Sequence, residues 1–121
     1  MRSQVAGTAD LSRLRAEVRT GLVDQDVPED VVDDFVLAVD EVVASALAVS
    51  ERQRGNKVDV RWSARRQPRC ELRAEIRLLG DSPGDLAGDA LRARIVRATE
   101  AIVVVDELLG GSAVGLRRAW S

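Results

Sequence analysis

Between residues 28 and 78 the hydrophobic period changes from that of a helix to that of a strand, and this change constrains the fold more than any other feature of the chain. Pro28 suits a first helical turn, and Glu29 and Asp30 beside it favour the positive end of a helix dipole. From Val31 onward, successive residues of a helix would advance about 100° around its axis. Val31, Val32, Phe35, Val36, Val39, Val42, Val43, Ala46, Leu47 and Val49 then share one broad face, while Asp30, Asp33, Asp34, Asp40, Glu41 and Ser45 gather on the other. The spacing predicts a long amphipathic helix from Pro28 to about Ser50. It runs out in the polar stretch Glu51 to Asn56, where Gly55-Asn56 signals a turn. Beyond that turn, Val58, Val60 and Trp62 alternate with Asp59, Arg61 and Ser63. Cys70, Leu72, Ala74, Ile76 and Leu78 likewise alternate with Glu71, Arg73, Glu75 and Arg77. Two half-buried strands joined by residues 64–69 are expected, paired as an antiparallel hairpin.

The flanking segments extend this pattern. Asp10 is placed to cap a first helix in which Leu11, Leu14, Val18 and Leu22 repeat at helical spacing. Val23 to Val27 form an acidic connector. Gly80 to Gly84 read as a loop, and a third helix should start near Leu86 to Asp89, with Leu91, Ile95 and Ala98 on its inner side. Ile102 to Val105 is a β-rich run, and Gly110-Gly111 turns the chain into a final strand with Val114 and Leu116 inward. The order helix, helix, hairpin, helix, hairpin predicts an α+β fold, an antiparallel or mixed sheet covered on one face by helices. Residues 1–121 are expected to form a single domain.

Composition narrows the chemistry. The chain has no histidine, which excludes Ser-His-Asp and Cys-His nucleophile systems and makes a transition-metal site improbable. Cys70 is the only cysteine, so neither an intramolecular disulfide nor a zinc cluster is available; its place in an apolar row predicts a buried, inert thiol. A net charge of −2 argues against binding nucleic acid through general phosphate attraction. No apolar run approaches the ~20 residues of a membrane span, and no signal-peptide pattern is evident, so a cytoplasmic protein is expected.

Glu41 and Ser45 stand four apart and therefore one turn above each other on one side of the long helix, among the small or apolar Leu37, Ala44 and Ala48. The bland reading is a solvated acidic face; the sharper one is the lining of a shallow pocket. The stretch Val36 to Leu47 resembles the first helix motif of GHKL-type (Bergerat-type) ATPase domains, "L-A-x-x-E-x-x-x-N-A", with Ser45 at the Asn position. Leu11 to Val18 looks like the opening helix of the small anti-sigma regulatory factors with serine-kinase-type domains. Glu71 to Gly84 resembles the strand leading into their "D-x-G-x-G" box, and Gly110-Gly111-Ser112-Ala113-Val114 their closing "G-G-T-x-V" turn and strand.

The resemblance implies an ATP site, with Glu41 as general base if the protein is active and Ser45, Asp81, Gly84, Gly88 and Ser112 at vestigial ATP and Mg²⁺ positions. Chemistry judges each motif. Ser45 is shorter than the Asn amide that helps hold Mg²⁺, an ion that demands close octahedral oxygen ligands. By simple alignment Leu78-Leu79-Gly80 occupies the place of the adenine-binding Asp; a slipped alignment puts Asp81 there with Gly84 behind it, and against it stands the reading of residues 81–84 as a plain turn. The glycine-rich lid is reduced to Gly88-Asp89-Ala90-Leu91, which restricts the approach of backbone N–H groups to a phosphate. A lost hydrogen bond to a charged group costs roughly 1.5–3 kcal/mol, and two such losses turn a micromolar site into one of about millimolar affinity.

Three functions are therefore expected in descending order. The first is a degenerate anti-sigma factor that sequesters a sigma factor by surface contact, is relieved by a STAS-type anti-anti-sigma partner, needs no metal or cofactor, and is a possible homodimer. The second is an ATP- and Mg²⁺-dependent serine kinase that phosphorylates the anti-anti-sigma protein. The third is a remodelled pocket for another small ligand. Candidate partner surfaces are the acidic group Asp24, Asp26, Asp33 and Asp34 and the basic group Arg61, Arg65, Arg66 and Arg69; for each, a solvated face is the plain alternative.

Overall fold

The chain begins with an element its residue pattern does not advertise, a strand Arg2–Val5 (β1). A 3₁₀ turn Thr8–Asp10 follows, then helices Leu11–Val23 (α1) and Glu29–Arg52 (α2), and strands Lys57–Arg65 (β2), Glu71–Leu79 (β3), Glu100–Asp106 (β4) and Gly111–Ala119 (β5). The computed structural model describes residues 1–52, 57–79, 100–106 and 111–120. The helix expected to start near residues 86–89 lies outside the described residues. The five strands form one sheet in the order β1-β2-β3-β5-β4. Every ladder is antiparallel, which decides between the two sheet types expected.

Both helices pack on one face of this sheet. Leu14, Val18 and Leu22 of α1 are buried, as their spacing predicts, and meet Phe35, Val39, Val42 and Leu47 of α2 in a single core with Val58, Val60, Trp62, Leu72, Ile76 and Leu116. Full burial of side chains of this size contributes about 1.5–3 kcal/mol each. Helix α2 keeps nearly the predicted bounds. The Pro28 carbonyl accepts the Val32 N–H at 3.0 Å to close the first turn, and Glu29 and Asp30 occupy that turn. Between the helices Asp26 adopts a left-handed backbone with φ 56°, a conformation Asp tolerates better than most residues.

Two local expectations are corrected. Asp10 has helical backbone angles and makes no capping bond to α1; its Oδ2 turns back to accept the Ala6 N–H at 3.0 Å. The 3₁₀ turn carries helical backbone upstream, so Asp10 no longer sits at the mouth of the helix. Cys70 is half-buried and stands one residue before β3, not in its buried row. The β2–β3 ladder ends at Arg65 opposite Glu71, and the Cys70 carbonyl instead accepts the Trp120 N–H at 3.1 Å. Among the described residues no helix is long and apolar enough to cross a membrane.

Candidate functional site

On the acidic side of α2 three carboxylates are paired with arginines, and among the described residues the exposed Asp30 and the half-buried Glu41 are not. Asp33 accepts from Arg19 of α1 at 2.6 Å, Asp40 from Arg15 at 3.2 Å, and Asp34 from Arg118 of β5 at 3.2 Å. Glu41 is half-buried and makes no hydrogen bond or ion pair among the described residues. Ser45, one turn on, is also half-buried, Ala48 is exposed, and Leu37 one turn back is 51% exposed. This flank therefore combines one uncommitted carboxylate, one hydroxyl and a band of small or apolar groups. Such a surface can accept a proton, or take an apolar contact beside a hydrogen bond.

The structure brings Glu41 and Ser45 together and leaves most of the other expected site residues unplaced. Asp81, Gly84 and Gly88 lie outside the described residues. Ser112 stands in β5 opposite Val105 of β4, and Gly111 opposite Asp106. Among the described residues no group of three or more His, Cys, Asp or Glu side chains is arranged to hold a metal ion.

The other face of the sheet carries a second site, which the sequence reading only touched. Asp59 and Glu71 alternate with apolar neighbours and so point away from the helices, yet both are buried. Arginines cover them. Asp59 accepts from Arg2 and Arg61, and Glu71 accepts from Arg73 with Arg69 and Arg117 close by. A groove of about 930 Å³ runs over this face, lined by Arg2, Arg61, Arg65, Arg73, Arg77 and Arg117.

The charge groups proposed from sequence are thereby divided. Arg61 and Arg65 line the groove, Arg69 approaches Glu71 at 3.5 Å, and Arg66 donates to the Gln25 carbonyl in the connection between the helices. Asp33 pairs with α1 and Asp34 with β5. The signal that marks the groove in the sequence is the Asp/Glu/Arg series on the polar side of both strands; what it lacks is the cross-strand register that stacks the arginines. No protein-family model and no curated protein matches the chain.

Proposed function

We propose that the protein is a regulator that acts by binding and holding another protein: an anti-sigma-factor-like domain of the GHKL type with a weakened or lost ATP site. Its partners in this reading are a sigma factor and a STAS-type anti-anti-sigma protein in the cytoplasm, and a second copy of itself is compatible with it. The observation that carries the reading is the flank of α2 on which Glu41 and Ser45 stand half-buried, one turn apart, with Glu41 unpaired among the described residues. Asp33, Asp34 and Asp40 of the same helix are paired with arginines, and Glu29 and Asp30 of its first turn are exposed, whereas Glu41 is half-buried and still unpaired among the described residues.

Holding needs no turnover. The exposed Leu37 can take an apolar contact from a partner beside the polar Glu41 and Ser45. Ser45 supports a binding role over a catalytic one, because its hydroxyl is too short to replace an Asn amide on Mg²⁺ without an intervening water.

The same Glu41 supports a second reading, a serine kinase. There it would take the proton of a partner's serine hydroxyl as the O–P bond to the γ-phosphoryl group forms and ADP leaves. The two readings separate at Glu41→Ala, which abolishes phosphoryl transfer if the protein is a kinase and leaves sequestration mostly intact if it is not. The test of the main reading is pairwise binding of the purified protein to each sigma factor of its host. A complex with one of them at micromolar affinity or better is expected; binding to none of them, by a protein with a cooperative melt, would overturn it.

A further inference from the structure

Two pairs of like charges stand directly opposite one another in the ladders, Arg2 across from Arg61 and Arg73 across from Arg117. Such pairs weaken a sheet unless something compensates. Beneath each pair lies a buried carboxylate. Asp59 accepts the Nε–H of Arg2 through Oδ1 at 2.7 Å and that of Arg61 through Oδ2 at 3.2 Å. Glu71 Oε1 accepts the Nε–H of Arg73 at 2.6 Å, and its Oε2 lies 3.5 and 3.9 Å from the Nε atoms of Arg69 and Arg117.

These contacts use Nε. In Arg2, Arg61 and Arg73 the terminal Nη groups make no hydrogen bond among the described residues, and Arg65 makes no ion pair there at all. The buried carboxylates thus hold the guanidinium groups in place by one nitrogen and leave the forked pair of donors for something else. A guanidinium fork oriented in advance matches a carboxylate or phosphate and loses little entropy on binding it. Ser63 and Gly115 keep the floor between the arginine stems low.

We propose that this open face of the sheet is a docking surface for an acidic, extended segment of a partner protein, whether or not that partner is a sigma factor. Charge favours an anionic occupant: the six arginines that line the groove outnumber the carboxylates set against them, Glu75 beside Arg77 and the buried Asp59 and Glu71 beneath, while the whole chain is net −2. Aromatics decide against single-stranded nucleic acid, which needs ring faces on which bases stack. The chain has one Phe, two Trp and no Tyr; Phe35 and Trp62 are buried, and Trp120 packs against the core. Spacing agrees with an extended peptide. Arg61 and Arg65 are four residues apart on one strand face, about 13 Å, the separation of carboxylates four residues apart on one side of an extended segment.

The test is titration of the full chain at low ionic strength with a ten-residue peptide of alternating Glu and Ser, followed by amide and arginine Nε–H resonances. A ten-residue oligothymidylate is titrated in parallel. The peptide is expected to saturate, to shift resonances of β2, β3 and β5, and to lose affinity as salt rises. The double substitution Arg65→Gln with Arg73→Gln should weaken it about tenfold, and Arg15→Gln with Arg19→Gln on the helix side less than twofold. Arg65→Gln alone breaks no ion pair among the described residues and should still weaken the peptide measurably, which keeps the test valid if the double variant does not fold. No saturable peptide binding, equal losses from the helix-side variant, or tighter binding of the oligonucleotide than of the peptide would each overturn the proposal.

Discussion

Arg118, near the end of β5, holds Asp34 of α2 with two donors, its Nε and Nη2 each 3.2 Å from the same carboxylate oxygen. The contact joins residues 84 apart in sequence and fixes the long helix to the central part of the sheet. Asp34 lies seven residues, about two turns, before Glu41 on the same side of the helix, so this clamp also sets the position of the candidate site. The side chains are 17% and 35% exposed, and solvent screening holds the value of the pair to about 1 kcal/mol. Asp34→Asn should lower the melting temperature by about 4 °C, measured by calorimetry; an unchanged melt would mean that the clamp contributes nothing.

Phe35 and Leu37 are two residues apart and should behave oppositely. Phe35 is fully buried and Leu37 is 51% exposed. Phe35→Ala should cost about 3–5 kcal/mol in chemical denaturation, a large part of the stability of a domain this size. Leu37→Ala should stay within about 0.5 kcal/mol. If Leu37→Ala proved as costly as Phe35→Ala, Leu37 would be covered and the α2 flank would not be an open surface.

Gly21 offers a gain. A Cβ there would lie 2.6 Å from Met1 Sδ and 3.0 Å from its Cε, but Met1 is 52% exposed and its thioether end is free to swing aside. Replacing a glycine within α1 by alanine gains about 0.5–1 kcal/mol in helix propensity. Gly21→Ala should therefore raise the unfolding free energy from chemical denaturation by about 0.5 kcal/mol, and a loss would show that Met1 is held where it is.

Much of the fold was legible because its signals are periodic. The bounds of α2, the β2–β3 hairpin, β4 and β5 follow from the spacing of apolar residues, and the buried face of α1 from Leu14, Val18 and Leu22. Strand β1 escaped because Arg-Ser-Gln-Val contains one strong apolar residue; it forms through its ladder with β2, with Ser3 opposite Val60 and Val5 opposite Val58. The burial of Asp59 and Glu71 was equally hidden. Alternation places both on the open face, but only the register between strands brings two or three arginines over each, and register is not a local property of the sequence. In the candidate site, the helical period makes the adjacency of Glu41 and Ser45 visible. Leu78 and Leu79, at the place the resemblance gives the adenine-binding Asp, end β3 opposite Val58 and Lys57, while Gly80, Asp81, Gly84 and the reduced lid at residues 88–91 lie outside the described residues.

The proposed reading, in which the ATP site is weakened or lost, makes a prediction about nucleotide affinity. With Ser45 in place of an amide and no carboxylate at Leu78-Leu79-Gly80, titration with Mg·ATP by calorimetry should show no saturable binding in the micromolar range and at most about millimolar affinity. Micromolar saturation would put Asp81 in the adenine role and restore the kinase reading.

The proposed reading is tested most directly by the dissociation constant of the complex with the sigma factor that the binding screen selects, taken with and without millimolar Mg·ATP, for the native chain and for Glu41→Ala. A protein that acts by holding its partner should give constants equal within about twofold with and without nucleotide, and Glu41→Ala should leave most of the affinity. A complex that forms only in the presence of Mg·ATP, or one that Glu41→Ala abolishes in a folded protein, would contradict it.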